Sequence, residues 1–211
     1  MTPSARAKPS STVGNGRVGR DPYDLETVLE IAVSAFNDFG YDATSMGLLA
    51  ERLGTSKSAV YYHVTGKEDL LRLALDRALG SLENVLTLPG ATNGDPVERL
   101  RFVVRAAVAV LVADLPYVTV LLRVRGNTAI ERDALRRRRE FDHQVAQLVD
   151  QGVSAGAVRS DVDSGTITRL LFGMVNSIVD WYKPGKGLTV DQLADDVIAV
   201  AFDGLIVSPH S

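Results

Sequence analysis

Six side chains able to donate hydrogen bonds crowd one short run: Ser56, Lys57, Ser58, Tyr61, Tyr62 and His63. The lysine offers a cation to phosphate. The hydroxyls, phenols and imidazole can donate to phosphate oxygens or to acceptors on base edges. Ser56 reads as the N-cap of a helix whose first N–H groups face outward, a ready seat for phosphate. A helix of this kind must be held at a fixed angle to a support, and residues 44–63, TSMGLLAERLGTSKSAVYYH, have the spacing for that. Ala50 is small where two helices would cross, and Gly54, four positions on, can take the left-handed conformation of a tight turn. Leu49, Leu53 and Val60 would pin the pair to a preceding helix. The pattern is that of a helix-turn-helix. An αα-hairpin with its aromatic residues packed inward is the competing reading, and the polar-aromatic face favours DNA.

No second constellation is complete. Glu140-Phe141-Asp142-His143 forms a Glu-x-x-His, half of a di-iron bundle site. The other half is missing, because the remaining histidines are His63 in the reading segment and His210 near the C-terminus. A helical metal-binding or di-iron-like enzyme therefore stays only as an alternative. No Gly-rich phosphate loop or nucleophile elbow is present, so no enzyme activity and no cofactor are expected. The chain has no cysteine, which excludes a disulfide scaffold and a thiolate metal site. Its 211 residues are 45% hydrophobic and 23% charged, the mix of a globular protein, and the net charge of −3 argues against bulk coating of nucleic acid. No apolar run approaches the ~18 residues of a membrane span, and no secretory leader is visible, so a cytoplasmic protein with no membrane partner is expected.

The elements that must position the reading face are all helical, because no stretch sustains period-two alternation. Residues 1–20 carry Arg6, Lys8, Arg17 and Arg20 without an acid, a basic tail that is either a solvated leader or an arm for an adjacent minor groove. Asp21-Pro22 predicts the start of the first helix, with Leu25, Val28, Leu29, Ala32, Ala35, Phe36 and Phe39 as its apolar stripe and Gly40 as its stop. Two short helices follow. Thr65-Gly66-Lys67-Glu68 reads as a capping box for a long helix to about Leu86, and Leu88-Pro89-Gly90 through Gly94 breaks the chain. Further helices are expected from Asp95-Pro96, from Leu115-Pro116, from Thr128 to the region of Gly152, from Asp161–Ser164 to Tyr182, and from Thr189 to Leu205. The expected fold is all-α with about nine helices. A three-helix DNA-binding domain over 21–66 precedes a helical bundle over 67–207.

The segment Phe36-Asn37-Asp38-Phe39-Gly40-Tyr41, Thr44-Ser45, Leu49-Ala50, Leu53-Gly54-Thr55-Ser56-Lys57, Val60-Tyr61-Tyr62-His63 and Lys67-Glu68-Asp69-Leu70 resembles the TetR family of transcriptional repressors. Two positions depart from the family pattern: Val64 replaces the usual Phe, and Ser58 replaces the frequent Gly or Ala on the reading face. The resemblance implies a DNA-binding repressor that grips a palindromic operator as a homodimer and responds to a small molecule. It implies that Thr44 caps the second helix and touches phosphate and that Ser45 lies beside it. Lys57 and Ser58 would approach bases, Tyr61, Tyr62 and His63 would hold backbone and nearby bases, and Lys67 would clamp a further phosphate.

The two last helices have apolar surface most of the way round: Ile167, Leu170, Leu171, Met174 and Ile178 with Phe172, Val175, Val179 and Tyr182, then Leu193, Val197, Val200 and Ala201 with Ile198, Phe202 and Leu205. That suits a dimer through a four-helix bundle, which the resemblance also implies; a deep monomeric core is the other reading. Within the lobe, Phe102, Tyr117, Leu121, Phe141, Phe172, Met174 and Trp181 are candidate walls of an effector pocket, with Asn176 beside them. Gly173-Met174-Val175-Asn176, Trp181-Tyr182-Lys183-Pro184-Gly185 and Leu188-Thr189 look like the repressors that answer to coenzyme A thioesters of fatty-acid, steroid or aromatic-acid breakdown. A regulator of efflux answering a drug-like ligand is the alternative. A coenzyme A thioester needs an apolar channel and cations for its phosphates. Arg105, Arg123 and Arg125 are candidates for the cations, and one or two of Arg136–Arg139 are expected to face the pocket, with Glu140 pairing Arg136 or Arg137.

Overall fold

A computed structural model describes residues 24–204. Among them every regular element is helical: α1 Leu25–Phe39, α2 Met46–Leu53, α3 Lys57–His63, α4 Lys67–Val85, α5 Pro89–Thr92, α6 Pro96–Ala113, α7 Leu115–Arg123, α8 Ala129–Ser154, α9 Ser164–Trp181 and α10 Val190–Ile198, the last running into a single π turn at Ala199–Asp203. The helix beyond the expected nine is α5, one turn that Pro89 opens inside the breaker cluster. The basic tail, the Asp21-Pro22 start and Leu205 lie outside the described residues. The cap observed for α1 is Asp24, whose side chain accepts from Thr27 N at 2.8 Å.

Helices α1, α2 and α3 form a small head. Val28, Leu29, Ala32, Val33 and Phe36 of α1 are buried against Leu49 and Ala50 of α2 and Val60 of α3. Gly54, at φ 68°, ends α2 and returns its N–H to the last turn, so α3 can leave at a sharp angle. Ser45 and Ser56 cap the two helices, accepting from Leu48 N and Ala59 N at 3.2 Å each.

Helix α4 joins head and lobe. It packs on α1 at one end and on α6, α7 and α8 along its length, with Leu70, Leu71, Leu75 and Leu79 fully buried. No side chain caps its start. Thr65 turns to Asp69 instead, giving its N–H at 2.8 Å and its hydroxyl to the same carboxylate oxygen, so the capping box expected with Glu68 does not form. In the lobe α8 packs on α9, and α10 lies on α6. Among the described residues no single helix is long and apolar enough to cross a membrane; α6 and α7 would reach that length only as a pair bent by 100°.

The turn between α7 and α8 is held by one buried carboxylate. Glu131 Oε2 accepts from the backbone N–H groups of Arg125, Gly126 and Asn127 at 3.1, 2.8 and 2.9 Å. Gly126, at φ 90°, lets the chain curl round it. Glu131→Ala leaves these donors without a partner and should lower stability by about 2–3 kcal/mol. Glu131→Gln, which keeps an acceptor, should lose less in urea denaturation.

Candidate functional site

Helix α3 turns Val60 into the core and leaves Ser56, Lys57, Ser58, Tyr61 and Tyr62 exposed, with Tyr62 87% accessible and His63 half-buried. Positions 57, 58, 61 and 62 fall on one side of a helix, so these donors form one face. The Tyr62 and His63 rings meet edge to face at 5.2 Å, which stiffens the end of that face. Ser45, the cap of α2, is exposed beside it.

Two expected phosphate contacts are placed elsewhere. Thr44 does not cap α2, because Ser45 does. Thr44 is 1% exposed, and its hydroxyl donates to Gly40 O at 2.8 Å and to Ala35 O at 3.3 Å. It ties the end of α1 to the following turn. Lys67 is also committed inside the fold. Its Nζ donates to the carbonyls of Tyr41, Thr44 and Asp42 at 2.8, 3.0 and 3.1 Å and stands 4.4 Å from the centre of the Tyr41 ring. An ammonium has three hydrogens, and all three are used. Lys67 is a strut between α4 and the α1–α2 turn, not a free clamp. Burial, with help from Glu68, pushes the Tyr41 phenol upward from its ordinary range.

The lobe contains a cavity of about 40 Å³. Ala78 and Leu82 of α4, Ala107, Val110 and Leu111 of α6, and Val118, Leu121 and Leu122 of α7 form its apolar walls. Phe141 and Phe172 close it from α8 and α9, their rings edge to face at 5.1 Å. Arg138, Asp142 and Asn176 are its polar groups. Burial raises the Asp142 carboxyl above the usual carboxylate range, with Arg138 and Arg169 pulling the other way. Outside, an open groove shares Leu122, Arg138 and Asn176 with the cavity and adds Thr119, Arg123, Ser177 and Asp180.

Of the wall residues expected, Leu121, Phe141, Phe172 and Asn176 meet at the cavity. The others do not. Tyr117 is buried under the Arg77 guanidinium, 4.2 Å from its ring centre. Phe102 lies beneath Gly90, where a Cβ would come within 2.5 Å of its ring. Met174 packs on the core from a half-buried position, and Trp181 is 53% exposed at the end of α9. Arg105 is on the surface, paired with Asp195, and Arg125 is exposed. Arg123 reaches the groove while donating to Asn37 O at 2.7 Å.

In the arginine run, Arg136 pairs with Asp133, Arg137 grips Glu83 and Asp76, and Arg138 faces the cavity. Glu140 accepts from Gln144 rather than pairing with an arginine. Asp142 was not singled out from sequence. Its place one helical turn after Arg138 and next to Phe141 was the available signal. His143 is exposed against Gln147, and no group of three metal-ligating side chains occurs among the described residues.

Residues 28–74 match the model for bacterial regulatory proteins of the tetR family, and residues 93–205 match the tetracyclin repressor-like C-terminal domain. The chain belongs to the TetR family. This TetR-family chain is a DNA-binding transcriptional regulator. It is 28% identical over 218 residues to the HTH-type transcriptional repressor KstR2 of Rhodococcus jostii (strain RHA1), covering 100% of each chain. A TetR-family regulator from Streptomyces coelicolor A3 superposes with a TM-score of 0.83 at 52% identity, over 87% of this chain and 92% of that one. AibR, solved with isovaleryl coenzyme A and operator DNA, gives a TM-score of 0.73 at 25% identity over 86% and 98%.

Tyr62→Ala should weaken operator binding about tenfold, ~1.4 kcal/mol, in a salt-controlled anisotropy titration, with melting temperature unchanged. Lys67→Ala should instead cost about 1.5–3 kcal/mol of stability, because three charged hydrogen bonds are lost.

Proposed function

We propose that this regulator is a homodimeric repressor that binds a palindromic operator and leaves it when an acyl- or aryl-coenzyme A thioester occupies the lobe. The observation that carries the reading is the junction of an apolar cavity with an open groove bearing Arg123 and Arg138. An acyl group fits the first environment and an anionic carrier the second. The name of KstR2 as a repressor, and the isovaleryl coenzyme A in AibR, support the direction and the ligand class. On the DNA side, Ser45, Ser56, Lys57, Ser58, Tyr61, Tyr62 and His63 supply the donors. A single seven-residue reading helix has too small a footprint for specific binding, so two half-sites about one turn apart are expected. For the dimer, α9 buries Leu171, Phe172, Val175 and Ile178 inward while leaving Leu170 64% exposed with Trp181 on the outward side, and Val200 is exposed after α10. Apolar surface of this kind suits a two-fold partner.

Helix α7 supports a route between the two sites. Val118, Leu121 and Leu122 face the cavity. At its ends α7 grips α1: Asn37 Nδ2 donates to Pro116 O at 2.9 Å, and Arg123 donates back to Asn37 O. Arg77 adds a third tie, bonding Glu26 of the head at 2.6 Å and Asp114 before α7 at 2.8 Å. Asn37 Oδ1 is buried with no partner, a cost to stability, so the side chain ties α1 to α7 through its amide nitrogen alone. A ligand that displaces α7 thus displaces α1 along with α4.

Mobility shift on DNA upstream of its own gene tests the reading. Retardation at low salt should be reversed by an acyl- or aryl-coenzyme A and not by coenzyme A alone. Full release asks for about 5 kcal/mol of preference for the free state. Retention of the complex at saturating thioester would refute it. Asn37→Ala should leave operator and thioester affinities each within about threefold, ~0.6 kcal/mol, when measured separately, yet weaken the effect of one on the other by about tenfold.

A further inference from the structure

Between residues 24 and 73 the basic side chains other than His63 are Arg52, Lys57, Lys67 and Arg72. Three of them are engaged within the protein. Lys67 holds the α1–α2 turn, Arg52 pairs with Asp38 at 2.9 Å, and Arg72 pairs with Asp69. Lys57 is left as the one lysine or arginine on the exposed face of α3, so its direction decides where this face carries positive charge.

A glycine on the neighbouring helix sets that direction. A Cβ on Gly47, in the first turn of α2, would come within 2.9 Å of Lys57 Cε and 3.3 Å of its Nζ. The same point is 3.6 Å from Ser45 Oγ, so ammonium and hydroxyl flank one residue. The lysine arm thus crosses to the start of α2 instead of running along α3 towards Tyr61. Any side chain at position 47 would push that arm aside.

In a helix-turn-helix the second helix enters the major groove while the first crosses the sugar-phosphate backbone. A cation laid on the first turn of α2 therefore stands at the wall of the groove and not at its floor. The chemistry beside it suits a phosphate. The Ser45 oxygen already accepts from Leu48 N, which leaves the hydroxyl hydrogen to give to a phosphate oxygen. The positive end of the α2 dipole adds to the attraction.

We infer that Lys57 is a positioning residue that neutralises a DNA phosphate from its seat over Gly47, and that base reading falls to the uncharged donors Ser58, Tyr61 and Tyr62. This rests on the reading of α3 as a DNA-binding face and replaces the approach to bases that the family resemblance implies for Lys57. Phosphate contacts fix register on the duplex and carry no sequence information of their own.

Anisotropy titrations of the full-length protein over a salt series test this on two duplexes, the upstream DNA that it retards and a shuffled duplex of equal composition. Lys57→Ala should weaken both by about tenfold at low salt and lower the salt slope by about one for each subunit bound, with the ratio of the two affinities kept within about twofold. Lys57→Arg should restore the slope. Gly47→Ala should weaken both duplexes together at an unchanged or higher melting temperature, and should add nothing in a Lys57→Ala background. A collapsed ratio in Lys57→Ala with binding to the shuffled duplex intact would make Lys57 a base reader and overturn the inference. So would an unchanged salt slope, or a Gly47→Ala protein that binds as the unmodified one does. Failure of the unmodified protein to bind either duplex would instead overturn the DNA-binding reading of α3 and the inference with it.

Discussion

The corner where α4 meets the α1–α2 turn rests on one ammonium group. Residues 41–44 make a tight turn, closed by Thr44 N donating to Tyr41 O at 3.2 Å, and three of its carbonyls converge on Lys67. The same nitrogen stands over the Tyr41 ring, while Thr44 closes the turn from beneath. The reading helix is only seven residues long and could not hold its own angle. It is aimed by α2, by the apolar contacts of Val60 and Val64, and through the α1–α2 turn by this strut. Arg77 makes a comparable tie one level up. Burial opposes its charge, but Glu26 and Asp114 outweigh that and hold it firmly protonated.

These ties make the head and lobe mechanically continuous, and α7 is where the continuity matters most. The helix has nine residues and must satisfy two surfaces at once, the cavity on one side and α1 at its ends. Close-packed interiors pass displacement on instead of absorbing it, so a ligand among Val118, Leu121 and Leu122 is in mechanical reach of Asn37. The long α4 gives a second path, since it lines the cavity with Ala78 and Leu82 and begins at Lys67. Two helices in parallel, α4 and α7, tie the head to the lobe.

The cavity departs from the logic of the core around it. Elsewhere in the described residues charged side chains near the interior are met, as Glu131 is by three amides and Arg137 by two acids. At the cavity Asp142 lies in the field of Arg138 and Arg169, and Asn176 completes a small polar edge on an apolar wall. A core optimised for stability alone would have apolar groups in their place.

Much of this was legible in the order of residues. Helix type, caps and stops depend on neighbours within a few positions, so Gly40, Gly54, Ser56 and the stripe of α1 announce themselves, as does the exposed face from Lys57 to Tyr62. The helix-turn-helix is local for the same reason, since its crossing and its turn fall within one stretch of twenty residues. The family resemblance could also mislead: it implies Thr44 as a cap, and Thr44 is a buried brace, because whether a hydroxyl meets solvent depends on what the chain folds over it. The destination of Lys67 was decided by a turn more than twenty positions away. The cavity was decided by five helices meeting, which is why Phe102 and Tyr117 went to other packing and Asp142 came forward. Sequence alone determined the helices and the reading face, because hydrogen bonding along the backbone and apolar periodicity are short-range. Only the tertiary structure decided which polar groups are spent holding the fold together and which line the cavity or the exposed reading face, because that depends on partners brought together from distant parts of the chain.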